Sequence, residues 1–328
     1  MVRGLLVVVA VAACGNNHAA IDAAIDAPVD TPIDTPPPPA GHYHYVIDHV
    51  DVPTNNNQAR TWGLDLDNDG IVDNQLGMVL GTLSGMGFQV QADTQRAVDT
   101  GAILTLVDLY ATDFTTSTTN TITTYDGANA FPAPCNGSAD TACRHHLGGN
   151  AMFTVASTMN PVLAGTTVAG QLDAGPGQLE VQLAPLGAPT IKVTLVGART
   201  KLIGTTATQI ADGVIAGAIT QTDLDGKVYP AMQMSMTALA QRDCCGLATS
   251  PGGATCTPPS CGCLDGSDGK TALGLFDTSP KDCTISVTEI QNNALIQALF
   301  APDLVIDSQM ALSVGFHFTA VPGAFAAP

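Results

Sequence analysis

Asp65, Asp67 and Asp69 stand at alternate positions, followed by Gly70, Ile71 and Asp73. Carboxylates at that spacing can all turn toward one point. A hard divalent cation such as calcium wants six to eight oxygens around such a point. Gly70 permits the sharp turn, the Ile71 carbonyl can coordinate, and Asp73 falls where a ligand often acts through water. Asp65, Asp67, Asp69, Ile71 and Asp73 are therefore read as a structural calcium site within a loop over 64–76. The twelfth position of the loop is Leu76, which has no side-chain oxygen. A further oxygen must come from water or a remote residue, with Asp48, Asp51 and Asn74 as candidates. Ile71 is expected to send its side chain into the core.

This stretch resembles the D-x-D-x-D-G loops of EF-hands, dockerins and thrombospondin type 3 repeats over about ten residues. An EF-hand closes with a bidentate Glu at position 12, and Leu76 departs from that pattern. No clear helix is read ahead of the loop. The expected affinity is of the extracellular grade, on the order of 10⁻⁴ to 10⁻³ M. The ion is expected to fix the start of the following helix.

Nine cysteines form the second chemical group. Cys135 and Cys143 are isolated from the later ones and are expected to pair. Cys244, Cys245, Cys256, Cys261, Cys263 and Cys283 crowd an insertion over 243–283 that is rich in Gly, Pro and Ser. Eight cysteines beyond Cys14 suit four disulfides in an oxidising compartment. The rival reading is zinc held by Cys256, Cys261, Cys263 and one of the adjacent pair. Only one of the spacings there fits C-x₂₋₄-C, so disulfides are preferred.

His42 and His44 share one face of a strand, which allows a metal pair, although polar histidines at strand edges are the ordinary reading. No G-x-S-x-G, H-E-x-x-H or Walker loop is present. No catalytic residue is assigned.

These groups must be delivered and positioned. Arg3, the apolar run from Leu5 and Val11-Ala12-Ala13-Cys14 resemble the lipobox of bacterial lipoprotein signals. That resemblance implies a signal over 1–13 and acylation of Cys14. Gly15, in place of the Asp that marks inner-membrane retention, implies an outer-membrane location. Asp22, Asp26, Asp30 and Asp34 recur among prolines, so 14–41 reads as an extended, self-repelling tether. The folded domain then spans 42–328. Lys and Arg total 11 against 29 Asp and Glu, a formal charge of −18. This excludes nucleic acid as a partner, because phosphate binding needs clustered cations. The membrane is reached through lipid.

Apolar residues alternate at Leu179, Val181 and Leu183, at Ile191, Val193 and Leu195, and from Met310 to Phe318. Such alternation means half-buried antiparallel strands. His42–Val52 and Ala102–Leu109 read as further strands. Leu76, Val79, Leu80 and Leu83 mark a helix, as do Gln91–Asp99 and Val228–Leu239. Ser286 and Glu289 fit a capping box ahead of Ile290–Leu299. The fold class is α+β: a dominant antiparallel sheet, sandwich or barrel-like, with three to four helices and a disulfide-rich segment.

The whole pattern resembles uncharacterised exported lipoproteins of Gram-negative bacteria. It implies a non-enzymatic envelope lipoprotein, a calcium-stabilised binding or adhesion module for a surface protein, glycan or lipid. One alternative is a carrier of an apolar ligand, which needs a cavity where a module has a filled core. The other is a hydrolase without a legible motif.

Overall fold

The computed structural model describes residues 41–156, 160–184, 189–244, 258 and 261–327. Cys14, the signal and the tether, and also Cys245 and Cys256, lie outside these. Eight antiparallel strands close on themselves. In barrel order they are β1 (His42–Asp51), β2 (Thr105–Tyr110), β3 (Ser117–Phe131), β5 (Val162–Val168), β6 (Gln171–Leu183), β7 (Ile191–Ile203), β8 (Ile210–Thr220) and β10 (Gln309–Ala324). β10 pairs with β1 from Tyr45↔Pro322 to Asp51↔His317, which completes the ring. Two short strands lie outside it. β4 (Ala151–Val155) joins the ends of β3 and β10, and β9 (Leu304–Ile306) forms a hairpin with β10. The barrel decides between the two sheet forms expected from alternation.

Leu179 and Val181 of β6 face Leu195 and Val193 of β7 in register, and all four are buried. An eight-stranded barrel has an interior about wide enough for side chains or one small ligand. One end is closed by polar ties: the Tyr45 hydroxyl donates to the Thr206 carbonyl at 2.6 Å, and the Asn120 amide to Thr167 Oγ1 at 2.6 Å. Burial pushes the Tyr45 phenol well above its ordinary range.

Helices gather elsewhere. They are α1 (Asn56–Thr61), α2 (Gln75–Gly85), α3 (Val90–Asp99), α4 (Gln221–Asp223), α5 (Tyr229–Asp243), α6 (Asp268–Phe276), α7 (Val287–Asn292) and α8 (Ala294–Leu299). A π turn over Leu224–Val228 joins α4 to α5, which leaves seven separate helices among the described residues. This exceeds the three to four expected. The extra ones are short and begin at clear caps, and α6 also buries Ala272, Leu273 and Phe276 on one face. Asn55 caps α1, Ser267 caps α6, and Asn293 both ends α7 and caps α8. Asn293 thereby splits the single helix expected over 290–299. The capping box of Ser286 and Glu289 is present.

Candidate functional site

Two features stand out: an apolar cavity inside the barrel and the acidic loop that holds part of its roof. The cavity measures about 110 Å³. Ile47, Val181, Ile215, Ile219 and Phe316 form its walls. Leu76, Leu80 and Leu83 of α2, Val90 of α3, and Val228 and Met232 at the start of α5 cover it. Thr94, Thr105, Thr124 and Gln182 supply the polar part of the lining, and among the described residues no ionisable side chain lines the space. The Gln182 Oε1 already accepts the Leu104 amide at 2.9 Å. A cavity of this size suits an apolar group no larger than about one small ring.

The roof begins at the acidic loop. Asp65, Asp67 and Asp73 bring carboxylate oxygens within 4.8 Å of one another. Asp69 stands outside that set, and its Oδ1 accepts the Ile71 amide at 2.7 Å. The Asp65 carboxylate accepts the amides of Asn68, Asp69 and Gly70 at 2.6–3.2 Å, which wraps the turn around it. Asp73 accepts the Leu66 amide at 2.7 Å. Burial is the main force that pushes the Asp73 carboxyl up. The charges of Asp67, Asp303 and Asp69 add to it, and the Leu66 amide opposes. Such negative crowding is relieved by a cation. Arg199 of β7 reaches the loop from outside, donating to Asn68 Oδ1 at 2.9 Å.

The structure corrects three expectations about this loop. Ile71 does not enter the core; it is 66% exposed. Leu66 anchors the loop instead, packed with Ala216, Ala218, Leu304 and Ala311 on the outer wall. A helix does precede the loop: α1 ends at Thr61. And the suggested remote oxygens are engaged elsewhere. Asp48 accepts from Thr319 at 2.8 Å, and Asp51 pairs with His49 and His317 at 3.0 and 2.8 Å. Asn74 is buried and fully used: its Nδ2 donates to the Ala59 and Gly315 carbonyls, and its Oδ1 accepts the Gly77 and Gly315 amides, all at 2.8–3.0 Å. Gly315 makes this possible, because a Cβ there would sit 2.3 Å from the Trp62 carbonyl. The carboxylate whose charge does bear on the loop is Asp303, itself tied to Ser313. Its distance along the chain hides it from any motif.

Cys135 pairs with Cys143 as expected, and the insertion carries Cys244–Cys263 and Cys261–Cys283. Oxidation of these thiols removes the zinc alternative, which needs thiolates. The buried Asp277 beside Cys261–Cys283 accepts the Asp282 and Cys283 amides and serves the fold.

No family model matches the chain, and neither a curated protein nor a solved structure does. Function must be argued from these features alone. Among the described residues no helix is long and apolar enough to cross a membrane.

Proposed function

We propose that the protein is a non-enzymatic binding module of the cell envelope, anchored through an acylated Cys14, whose barrel takes an apolar ligand. The observation that carries this reading is the apolar cavity under the helical roof, whose lining among the described residues holds no ionisable group. Of the functions the sequence left open, it favours the apolar carrier over the hydrolase. The size of the space restricts the ligand to a small apolar molecule or the apolar end of a larger one. Calcium at Asp65, Asp67, Asp69, the Ile71 carbonyl and Asp73 is structural in this reading. It holds the turn that leads into α2 and hence part of the roof.

The test is thermal unfolding of the oxidised chain with and without toluene. A binder of the folded state raises the midpoint in a concentration-dependent way. Leu80→Phe, which fills the space from the roof, should abolish the rise. No rise in the parent protein, or an equal rise in Leu80→Phe, sinks the proposal.

The adhesion reading is favoured by a different feature. An open polar groove of about 720 Å³ on the outer wall is bordered by Asp65, Asp173, Arg199 and Lys201. A polar partner seated there would be displaced by Lys201→Glu and untouched by Leu80→Phe.

A further inference from the structure

Arg199 and Lys201 stand two residues apart on β7 and so share the outer face of the barrel, where both line the polar groove. Asp173 of β6 lies directly opposite Lys201. The two are not joined. Asp173 Oδ2 accepts the Gln171 amide at 2.8 Å, and among the described residues the Lys201 ammonium meets no carboxylate and makes no hydrogen bond. Lys192, earlier on the same strand, behaves in the ordinary way: its ammonium is bound to Asp126 and lies 3.9 Å from Glu180. Arg199 gives only Nη2 to the acidic loop, at 3.4 Å to the Leu66 carbonyl and 2.9 Å to Asn68 Oδ1. Among the described residues its Nη1 donates to nothing.

The carboxylates of the groove are spent where its cations are not. Asp65 is the one carboxylate of the acidic loop in the lining, and it accepts three amides of its own turn. Asp173 is taken by Gln171. Thr118 of β3 and Thr166 of β5, both exposed, bring hydroxyls that no described residue engages. Free charged donors beside free hydroxyls suit a ligand rich in acceptors. A carboxylate answers the guanidinium and the ammonium with charge-assisted hydrogen bonds, and sugar hydroxyls answer the threonines. The chain carries a formal charge of −18. At physiological salt that charge is screened beyond about 8 Å, so a docked anion answers to the cations it touches. A space of about 720 Å³ has room for a short oligomer.

We propose that the groove binds an acidic sugar, with its carboxylate between Arg199 and Lys201 and its hydroxyls on Thr118 and Thr166. This rests on the reading of the groove as a docking surface and names what docks there. Alternate residues of a strand are about 7 Å apart, so two long side chains rising from them can converge on one carboxylate. The two cations do different work. Arg199 is held in direction by Asn68, and its planar group fixes how the carboxylate lies. Lys201 is a mobile point charge that follows it. A neutral sugar would leave the ammonium unanswered, and a carboxylate without hydroxyls would leave the threonines unused.

The test is calorimetric titration of the full chain, in calcium-free buffer, with tetragalacturonate and with its methyl ester, which keeps the hydroxyls and loses the charge. The acid form should bind, and the ester should bind at least about tenfold more weakly. Lys201→Gln should weaken the acid form about threefold to fivefold and Lys201→Glu at least about tenfold. Both should keep the circular dichroism of the parent, because the ammonium holds nothing in the fold. Leu80→Phe should bind as the parent does. No binding of the acid form to the parent overturns the assignment, and so does equal competition by acetate. Equal binding of the ester, lost in Lys201→Glu, overturns it too but leaves the groove a docking surface for neutral partners. Binding undiminished in Lys201→Glu removes the groove itself.

Discussion

The roof of the cavity is held from two sides by opposite means. On one side α2 starts from an acidic loop whose order comes from hydrogen bonds to carboxylates and to Asn74. On the other, α5 ends in the cysteine-rich segment, where Cys244 caps the helix and bonds to Cys263. There Asp243 accepts the Gly269 amide of α6 at 2.8 Å, and Arg242 reaches Asp268 at 3.2 Å. A Cβ on Gly269 would lie 2.5 Å from the Leu239 carbonyl, so the two helices touch backbone to backbone. One side is fixed by polar contacts that an ion can alter, the other by covalent bonds together with the Arg242–Asp243 ion pair, which lies apart from the acidic loop. In the proposed function the loop side is therefore where an ion would act on the roof.

Breaking each side in turn tests that contrast. Asn74→Ala leaves the Gly77 and Gly315 amides and the Ala59 and Gly315 carbonyls without partners. Unsatisfied buried groups cost about 1–3 kcal/mol each, and partial relaxation brings the sum to about 4 kcal/mol. Denaturant unfolding should show that loss even with calcium present. Replacing Cys244 and Cys263 by Ser should cost about 3 kcal/mol, in line with the length of the closed loop. That loss should be the same with and without a chelator. A chelator-dependent loss would mean that the two sides are not separate.

Legibility in the sequence follows the same division. β6 and β7 were readable because one face is more buried than the other, and β10, buried on both faces from Ala311 to Phe316, because small or polar Ala311, Ser313, Gly315 and His317 alternate with large apolar residues. β8 was missed because Ala216 and Ala218 on its outer face are also buried, under Leu66 and Leu304, which erases alternation. α1, with the sequence NNQART, has no apolar stripe and exists through its Asn55 cap. The acidic loop was legible because its carboxylates stand at alternate positions ahead of a glycine. The cavity was not. Its lining comes from many separate elements, and each residue looks like ordinary core until the barrel closes. Asp303 was invisible for the same reason.

The calcium proposal sharpens the comparison further. With a dissociation constant in the expected extracellular range, 10 mM calcium should stabilise the fold by about 2 kcal/mol. Asp65→Asn should remove most of that gain. Toluene binding should weaken when calcium is withdrawn from the parent, because α2 carries three of the roof residues. In the Cys244→Ser, Cys263→Ser protein the calcium gain should persist. Absence of any calcium-dependent shift in the parent removes the ion from the loop and leaves Asn74 alone to hold α2.

The smallest effect concerns acid. The Arg242 guanidinium, donating two hydrogen bonds, holds the Asp243 carboxyl below its ordinary value, and the Gly269 amide adds to this against the cost of burial. A carboxyl lowered by folding contributes stability that is complete above its unfolded pKa of about 4. The contribution is lost as pH falls from there through the lowered folded value, so the window lies below about pH 4. Asp243→Asn should flatten this acid limb of a urea-midpoint profile between pH 5 and the acid limit, with little change at pH 7 beyond a constant offset. Asp73 has the opposite sign when no ion is bound. Its carboxyl is raised, so the loop side gains from protonation where the cysteine side loses. The covalent side of the roof should therefore be the one that loosens first in acid. Hydrogen exchange should show it as earlier loss of protection in α6 than in α2. The reverse order would mean that the Arg242–Asp243 pair contributes nothing to holding α5 against α6.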